Sequence, residues 1–292
     1  WTGVNNAAVH FISKTGGMGG RNMLYMDYHV HCQNSPDSSE PLEEICKGAM
    51  DAGIKEIMIT DHYEMFTDDF GRKAYQPEYL TQCLESVLQC REKLKDQLYV
   101  GFGTELGQIH LQPEAAAQVT KSFPFDFVIA SFHKIDNLDL KGYDYHKTNC
   151  RILKERYLDG LLAIARTGDF DCMGHVDLIK RYAAGQGVSI RLEEDEEAVR
   201  ELFRILVNRN KGIEINTSGL RQAVKEQFPS RTLLKWYREE GGTIVTVGSD
   251  AHCRQDVGKG IQEAEKLLQE LGFPYISRFR ERKLLQEKVM IR

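Results

Sequence analysis

Several features are missing from this 292-residue sequence, and each absence removes a class of protein. No apolar run approaches the ~20 residues that a helix needs to cross a membrane. The net charge of −5 gives no general attraction for nucleic acid or for an anionic membrane surface, so an anionic ligand must be held by local charge. The hydrophobic content of 41% and the charged content of 28% are those of a soluble globular protein, and the length suits one large domain.

Familiar catalytic loops are also missing. The sequence contains no Gly-x-Gly-x-x-Gly or Walker-type phosphate loop, which disfavours an open nucleotide-binding sheet. It has neither a Gly-x-Ser-x-Gly elbow nor a Cys-x5-Arg loop, so serine and cysteine nucleophiles lack support. The seven cysteines are scattered, odd in number and without a Cys-x-x-Cys pair. This pattern favours reduced thiols and predicts a cytoplasmic protein.

Residues 1–22 differ from the rest of the chain. They show neither helical nor strand periodicity, and Thr15 to Gly20 reads as a linker. We interpret 1–22 as an N-terminal extension, disordered or derived from an expression vector, and exclude it from the fold. Residues 23–292 are predicted to form a single domain.

Within that domain, short apolar strands alternate with longer helical stretches. The predicted strands are 24–30, 56–60, 98–104, 126–131, 170–174, 212–216 and 243–248. The helical candidates between and after them are 41–52, 77–95, 114–121, 145–166, 192–209, 230–240 and 257–271. Strand then helix, repeated seven times, predicts an α/β fold with a parallel sheet wrapped by helices.

The positions of the polar residues decide between a barrel and an open sheet. In a β/α barrel the functional side chains come from the carboxyl ends of many strands and meet at one mouth. Here each predicted strand ends in or is followed by histidine, acid or asparagine, from His29 and His31 after the first to Asp250 and His252 after the last. We therefore predict a seven-stranded (β/α)7 barrel.

These strand ends supply a candidate metal centre. Two histidines two residues apart on a strand point the same way, and Asp250 and His252 repeat this spacing. The candidate ligands are six of the nine histidines and two acids, namely His29, His31, His62, Glu105, His133, His175, Asp250 and His252. This set is sufficient for two or three divalent ions, with Glu105 as the bridging carboxylate. Cys32 and Cys253 each adjoin a candidate ligand. Either they are soft ligands themselves, or their side chains point away from the site on the other face of the chain.

The same residues carry a resemblance to a known family. Asp27 to His31, Thr60 to His62, Glu105, Ser131 to His133, Gly174 to His175 and Ser249 to His252 look like the motifs of the polymerase and histidinol phosphatase (PHP) family. The resemblance covers about residues 24–273 and implies a distorted seven-stranded (β/α)7 barrel that carries a trinuclear centre. It implies one ion at His29, His31, Glu105 and Asp250, a second at Glu105, His133 and His175, and a third at Asp37, His62 and His252. Where some members have histidine this chain has Asp37, a harder ligand, so manganese or iron becomes as acceptable as zinc.

The resemblance also implies a reaction. The segments 35–38, 174–182 and 214–221 look most like the histidinol-phosphatase branch, which predicts hydrolysis of L-histidinol phosphate in histidine biosynthesis. The expected mechanism is direct attack by a hydroxide that bridges the ions. The alternatives are another phosphoesterase of the family, acting on phosphotyrosine proteins or nucleotides, and a non-catalytic metal-binding module. The expected partner is a small phosphorylated substrate, and the sequence does not indicate an oligomeric state.

Further residues are candidates for substrate binding. Lys180, Arg181 and Arg221 are predicted in loops on the mouth side as a phosphate clamp, and the alternative is that Lys180 and Arg181 are solvated charges. Glu64, Asp68 and Asp177 are unranked candidates for the substrate amine. Asp61 is either the proton donor to the leaving group or an acid that orients a histidine. Residues 134–149 form either a lid or an ordinary surface excursion.

Overall fold

The computed structural model describes residues 26–65 and 77–288 and places their strands in one nearly closed barrel with two small hairpins. In chain order the strands are β1 (Met26–Val30), β2 (Glu56–Ile59), β3 (His62–Glu64), β4 (Tyr99–Gly107), β5 (Phe127–Ser131), β6 (Lys134–Ile135), β7 (Leu138–Asp139), β8 (Cys172–Met173), β9 (Gly212–Asn216), β10 (Val245–Gly248), β11 (Tyr275–Arg280) and β12 (Lys283–Lys288). The predicted N-terminal extension, 1–22, lies outside the described residues.

Seven parallel strands form the barrel wall in the order β1, β2, β4, β5, β8, β9, β10, and β3 pairs with the far end of β4. β10 returns beside β1, where the His31 N–H donates to the Ala251 carbonyl over 2.8 Å and the Asp250 N–H donates to the His29 carbonyl over 2.7 Å. The barrel is therefore nearly closed by two hydrogen bonds that lie directly at candidate ligands. The predicted seven-stranded barrel is confirmed.

Helices cover the outside of the wall. They are α1 (Leu42–Asp51), α2 (Pro77–Leu94), α3 (Pro113–Ser122), α4 (Cys150–Thr167), α5 (Ile179–Gly185), α6 (Glu196–Asn208), α7 (Arg231–Glu239) and α8 (Ile261–Glu270). α6 shows how each helix is attached, because it buries a single stripe of Val199, Leu202, Phe203 and Leu206 against the core. Among the described helices, none is long and apolar enough to cross a membrane.

Three elements differ from the sequence-based prediction. The segment after β8, predicted as a loop, forms the short helix α5. His62 lies in a separate strand, β3, whereas we predicted it directly after the second strand. Within the segment 134–149, predicted as a lid or an ordinary surface excursion, residues 134–139 form a two-stranded hairpin, β6–β7.

The hairpin β11–β12 was not predicted, and its arginines pair with acids at the amino ends of the barrel strands. Arg280 Nη1 lies 2.6 Å from Glu56 Oε1, and Arg278 Nε donates to Glu56 Oε2 over 3.0 Å. Arg282 lies 2.9 Å from Asp169 and 3.1 Å from Asp171. Glu56 is only 4% exposed, so this base of the barrel carries buried acids that are matched by arginines of the same chain.

Candidate metal centre

Two histidines lie at the mouth of the barrel, His29 in β1 and His31 directly after it. His29 and His31 are both fully buried, and they point the same way because alternate residues of a strand share a face. Their Nε2 atoms lie 3.0 Å apart. One proton can lie between two such nitrogens, and two protons cannot. At least one of the two Nε2 atoms is therefore unprotonated, and an unprotonated imidazole nitrogen can bind a metal ion.

Glu105 lies at the centre of the site and is 1% exposed. It is held by β4, whose register against β3 and β5 places it between two histidine-bearing strand ends. Five imidazole nitrogens surround its two oxygens: His29 Nε2 at 3.3 Å, His31 Nε2 at 3.5 Å and His62 Nδ1 at 3.0 Å from Oε2, and His133 Nε2 at 3.0 Å and His175 Nε2 at 2.8 Å from Oε1. A single carboxylate thus touches two groups of candidate ligands, one on each oxygen.

Asp250 brings a second acid to His29 and His31. Its Oδ1 lies 3.8 Å from His29 Nε2 and 3.6 Å from His31 Nε2. The residue adopts a left-handed backbone conformation (φ 54°), which is uncommon outside glycine and turns the carboxylate into the mouth from the closure between β10 and β1. Its Oδ2 accepts hydrogen bonds from Arg181 over 2.8 Å and from Ser218 over 3.1 Å.

A third group lies nearer to solvent. Asp37 Oδ2 is 3.1 Å from both His62 Nε2 and His252 Nε2. The His31 ring stacks on the rings of His62 and His252, with centroids 4.5 Å and 4.3 Å apart. The structure therefore brings all nine sequence-predicted ligands to one mouth, where neighbouring groups of candidate ligands share His31, His62, Glu105 and His133.

Carboxylates and hydroxyls behind the ligands orient them, and sequence reasoning did not assign these roles. Glu214 Oε1 lies 2.6 Å from His29 Nδ1, and Glu64 Oε1 lies 2.7 Å from His133 Nδ1. Ser131 donates to Glu105 Oε1 over 2.6 Å. An acid in the middle of an otherwise apolar buried strand was the available signal for Glu214.

The acids dominate the electrostatics of the histidines. Burial lowers the pKa of His62, but Glu105 and Asp37 outweigh it and raise that pKa to about 9. Burial also disfavours charge on His29, and the carboxylates of Glu214, Glu105 and Asp250 overcome it and raise its pKa well above the usual range. In turn, although burial opposes it, the imidazoles lower the pKa of Glu105. The mouth thus attracts positive charge, in the form of protons or metal ions.

The donor set fits divalent metal ions. Imidazole nitrogens and carboxylate oxygens form four overlapping groups of three or four residues. Within each group, the ligand atoms all lie within 4.8 Å of one another. Glu64 Oε2 is buried without a hydrogen-bond partner among the described residues, and His62 Nδ1, although 3.0 Å from Glu105 Oε2, makes no hydrogen bond to that part of the chain. Neither Cys32 nor Cys253 belongs to these groups, and the Cys32 thiol donates to Asp61 over 3.1 Å. Mixed imidazole and carboxylate sites suit zinc, manganese and iron.

The three residues of the predicted phosphate clamp, Lys180, Arg181 and Arg221, have different environments. Lys180 lies in α5 rather than in a loop, and its ammonium contacts Asp177, Glu226 and the Gln227 carbonyl at 2.8 to 3.0 Å. These contacts occupy its three donors, so the geometry does not support a phosphate contact for Lys180.

The two arginines lie closer to the ligands. Arg181, also in α5, contacts the ligand Asp250, and its Nε is buried without a partner in the described part of the chain. Arg221 ends a 3-10 turn, donates to the Ser249 carbonyl over 2.8 Å and keeps a buried Nη1 without a described partner. Both arginines thus have donors to spare beside the ligand Asp250.

Asp61 does not orient a histidine, contrary to one of the two predictions for it. Its carboxylate accepts hydrogen bonds from the backbone N–H and the thiol of Cys32. Burial raises its pKa to about 6. Asp61 therefore fixes the chain directly after His31.

The amine candidates and the predicted lid also differ from expectation. Lys180 and the Ser230 N–H both contact Asp177 Oδ2, and Asp177 Oδ1 is buried without a hydrogen-bond partner among the described residues. Asp68 lies outside the described residues. In the segment 134–149, Tyr145 is buried, and its hydroxyl donates to the Leu140 carbonyl over 2.9 Å. This segment is therefore packed against the barrel.

Comparisons with known proteins agree with this geometry. A family model described as PHP domain matches residues 27–218. A histidinol-phosphatase from Lactococcus lactis is 29% identical over 275 residues, covering 92% of this chain and 100% of the relative. The crystal structure of a histidinol phosphate phosphatase from that organism, complexed with zinc, L-histidinol and phosphate, has a TM-score of 0.79 at 27% identity and covers 89% of this chain and 98% of its own. A putative histidinol phosphatase from Listeria monocytogenes shares the fold, with a TM-score of 0.68 at 18% identity over 80% of this chain and 98% of its own.

Proposed function

The chain belongs to the PHP domain family, and from that premise we propose that it is a metal-dependent phosphatase that hydrolyses L-histidinol phosphate to histidinol and phosphate. The observation that carries the proposal is Glu105, a buried acid whose two oxygens face two groups of imidazoles at the mouth of the barrel. The similarity extends over nearly the whole chain to a relative named for this activity. We place the reaction in the cytoplasm, as a step of histidine biosynthesis.

We assign the ligands to three positions. The first uses His29, His31, Glu105 and Asp250, the second Glu105, His133 and His175, and the third Asp37, His62 and His252. Zinc, manganese or iron bound here supplies activated water near neutral pH and neutralises charge on the phosphoryl oxygens. The more exposed third position, with its carboxylate from Asp37, is the one at which we expect the metals to exchange most readily.

The protein side chains hold both the site and the substrate. Arg181 fixes Asp250 through one nitrogen, and neither its Nε nor the Nη1 of Arg221 has a hydrogen-bond partner in the described part of the chain, so both arginines are suited to bind phosphate oxygens. Asn216 supports this region because its Oδ1 accepts from the backbone N–H of Ser218 over 3.1 Å. The Ser218 hydroxyl lies 2.5 Å from Asn216 Oδ1 and 3.1 Å from Asp250 Oδ2, and its single proton is shared between these two acceptors. Ser218 thus links the phosphate side of the mouth to a ligand.

The test is phosphate release from histidinol phosphate, compared with phosphotyrosine, a nucleotide monophosphate and p-nitrophenyl phosphate. Each substrate is assayed after chelation and after readdition of zinc or manganese. We expect kcat/KM to be highest for histidinol phosphate and to return with metal. Equal turnover of all four esters would indicate a general phosphoesterase. Turnover that resists chelation, or metal binding without turnover, would overturn the proposal.

A further inference from the structure

Glu214 is a buried acid that touches candidate ligands of two different metal positions. It lies in the middle of β9 and is 1% exposed. Its Oε1 is 2.6 Å from His29 Nδ1, and its Oε2 accepts from the His175 backbone N–H over 3.0 Å. Oε2 also accepts from the Asn216 side-chain amide over 3.3 Å. Among the nine ligands, His29 belongs to the first position and His175 to the second.

Gly248 in β10 leaves the space that the Glu214 side chain occupies. A Cβ added at Gly248 would lie 2.6 Å from Glu214 Oε1 and 2.3 Å from the Cβ of His29. Both distances are shorter than real side chains allow, so any larger residue at position 248 would displace the acid or the ligand. The contact between Glu214 and His29 is therefore built into the packing of β9, β10 and β1.

We propose that Glu214 is a positioning residue that prepares the first and second metal positions together. By accepting the Nδ1 proton of His29, it leaves the Nε2 lone pair free toward Glu105 and Asp250. By accepting the backbone N–H of His175, it fixes the start of the turn that carries the second ligand. This inference rests on the proposed metal-dependent function and names the residue that couples two of its ion positions.

Only a carboxylate can perform both tasks, because each of its oxygens accepts hydrogen bonds and neither donates. In Glu214→Gln, an amide nitrogen facing His29 would donate to Nδ1 and place the imidazole proton on Nε2, where it blocks a metal. In the opposite orientation, the amide nitrogen would face the N–H groups of His175 and Asn216, donor against donor. Each orientation damages one contact, and the shape of the side chain is unchanged.

The first experiment is a titration of chelator-treated protein with Mn2+ or Zn2+, read by ion stoichiometry and affinity. We expect Glu214→Gln to weaken the first and second positions by about 10- to 100-fold, as loss of a hydrogen-bonded carboxylate behind a metal ligand does. Occupancy at the third position should persist. Asp37→Asn is the matched variant, because it should weaken the third position and spare the other two.

Two further measurements distinguish positioning from general stability. Glu56→Gln removes a buried acid at the base of the barrel, and it should lower Tm without changing the metal titration. Histidine 15N chemical shifts of the zinc-loaded wild type should show His29 protonated at Nδ1. Should Glu214→Gln fail to fold, Glu214→Asp keeps the charge, shortens the reach and is expected to weaken the same two positions.

The outcomes separate this inference from the proposed function. A wild type that binds no divalent metal would overturn both. Wild-type binding that Glu214→Gln leaves unchanged would overturn the inference alone. If Glu214→Gln weakens metal binding only at the first position, which contains His29, then Glu214 orients one ligand and does not couple the two positions. That result would also overturn the inference.

Discussion

The two ends of the barrel bury acids in opposite ways. At the base, Glu56 faces Arg280 and Arg278, and Asp171 faces Arg282. At the mouth, Glu105 faces five imidazole nitrogens, and a pair of these imidazoles directs nitrogen against nitrogen at 3.0 Å. Arginine remains charged at every physiological pH, whereas imidazole charges only when it takes up a proton.

The two ends differ in where the positive charge that balances their buried acids comes from. The base obtains its positive charge from the chain itself, so its ion pairs are structural and independent of what is bound. Apart from Arg181 beside Asp250, the mouth obtains its positive charge from solvent, as protons or metal ions, because buried acids there raise the pKa of His29 and His133 despite the opposing effect of burial. We therefore expect changes at the mouth to act through bound cations and changes at the base to act on stability alone.

The largest effect is expected for Glu105→Gln at the mouth. The amide replaces a shared anionic ligand, so we expect kcat/KM to fall by about a thousandfold or more, equivalent to about 4 kcal/mol. Steady-state kinetics and metal analysis of the purified variant check this result. Activity within tenfold of wild type would show that Glu105 is not the shared ligand.

Arg280→Met at the base is the counterpart. It removes one of two arginines from Glu56, and we expect the free energy of unfolding to fall by about 3 kcal/mol. Denaturant unfolding measures that loss, and kcat per folded molecule should remain unchanged. A fall in kcat without loss of stability would mean that the two ends are coupled.

The pH dependence of the metal-free protein tests the mouth directly. His62 has a folded pKa of about 9, above the unfolded value of about 6.5. The stabilisation is fully present below pH ~6.5 and is lost as pH rises through the folded value, and His29, His133 and His252 act in the same direction. His31, whose pKa is lowered by burial, acts in the opposite direction. From His62 alone we expect stability to fall by about 2 kcal/mol between pH ~6.5 and ~8, before unfolded cysteines titrate at about 8.5.

Urea unfolding in the presence of a chelator measures this slope. Metal binding requires neutral imidazoles, so the metal-loaded protein should lose the decline or reverse it. A flat profile in chelator would show that the imidazoles at the mouth are already neutral, and that the acids there are held in another way.

The smallest effect is expected for Ser218→Ala. It removes the hydroxyl that links Asp250 Oδ2 to Asn216 Oδ1, so metal affinity should fall by up to about 1 kcal/mol, or about fivefold, in the same titration. Ser230→Ala is the control, because Ser230 caps α7 and should cost about 1 kcal/mol of stability with metal affinity unchanged. Equal metal affinity in both variants would remove Ser218 from the support of the site.

The sequence predicts the wall of the barrel well because its strands are short apolar runs that end in polar residues. The predicted strand 212–216 coincides with β9, and 126–131 differs from β5 by one residue. The PHP resemblance was confirmed by the family model. The candidate ligands could be found because parallel strands place all their carboxyl ends at one edge, so position along the chain predicts proximity.

The features that were missed depend on contacts far apart in the sequence. α5 has only seven residues, too few to show helical periodicity, and its packing decides its structure. β3 has three residues and exists only through its pairing with β4. The roles of Glu214 and Glu64 require knowing which histidine lies beside each acid, and no local pattern contains that information.

The hairpin β11–β12 has a consequence for the order in which the chain folds. It is the last element along the described chain, but it neutralises acids that lie as early as Glu56. A nascent polypeptide that has left the ribosome only as far as Phe273 holds every strand of the wall and lacks the arginines beneath it. We therefore expect the base of the barrel to remain incompletely packed in cotranslational intermediates. We also expect a stop codon before Tyr275 to abolish accumulation of the protein, although it spares all nine candidate ligands.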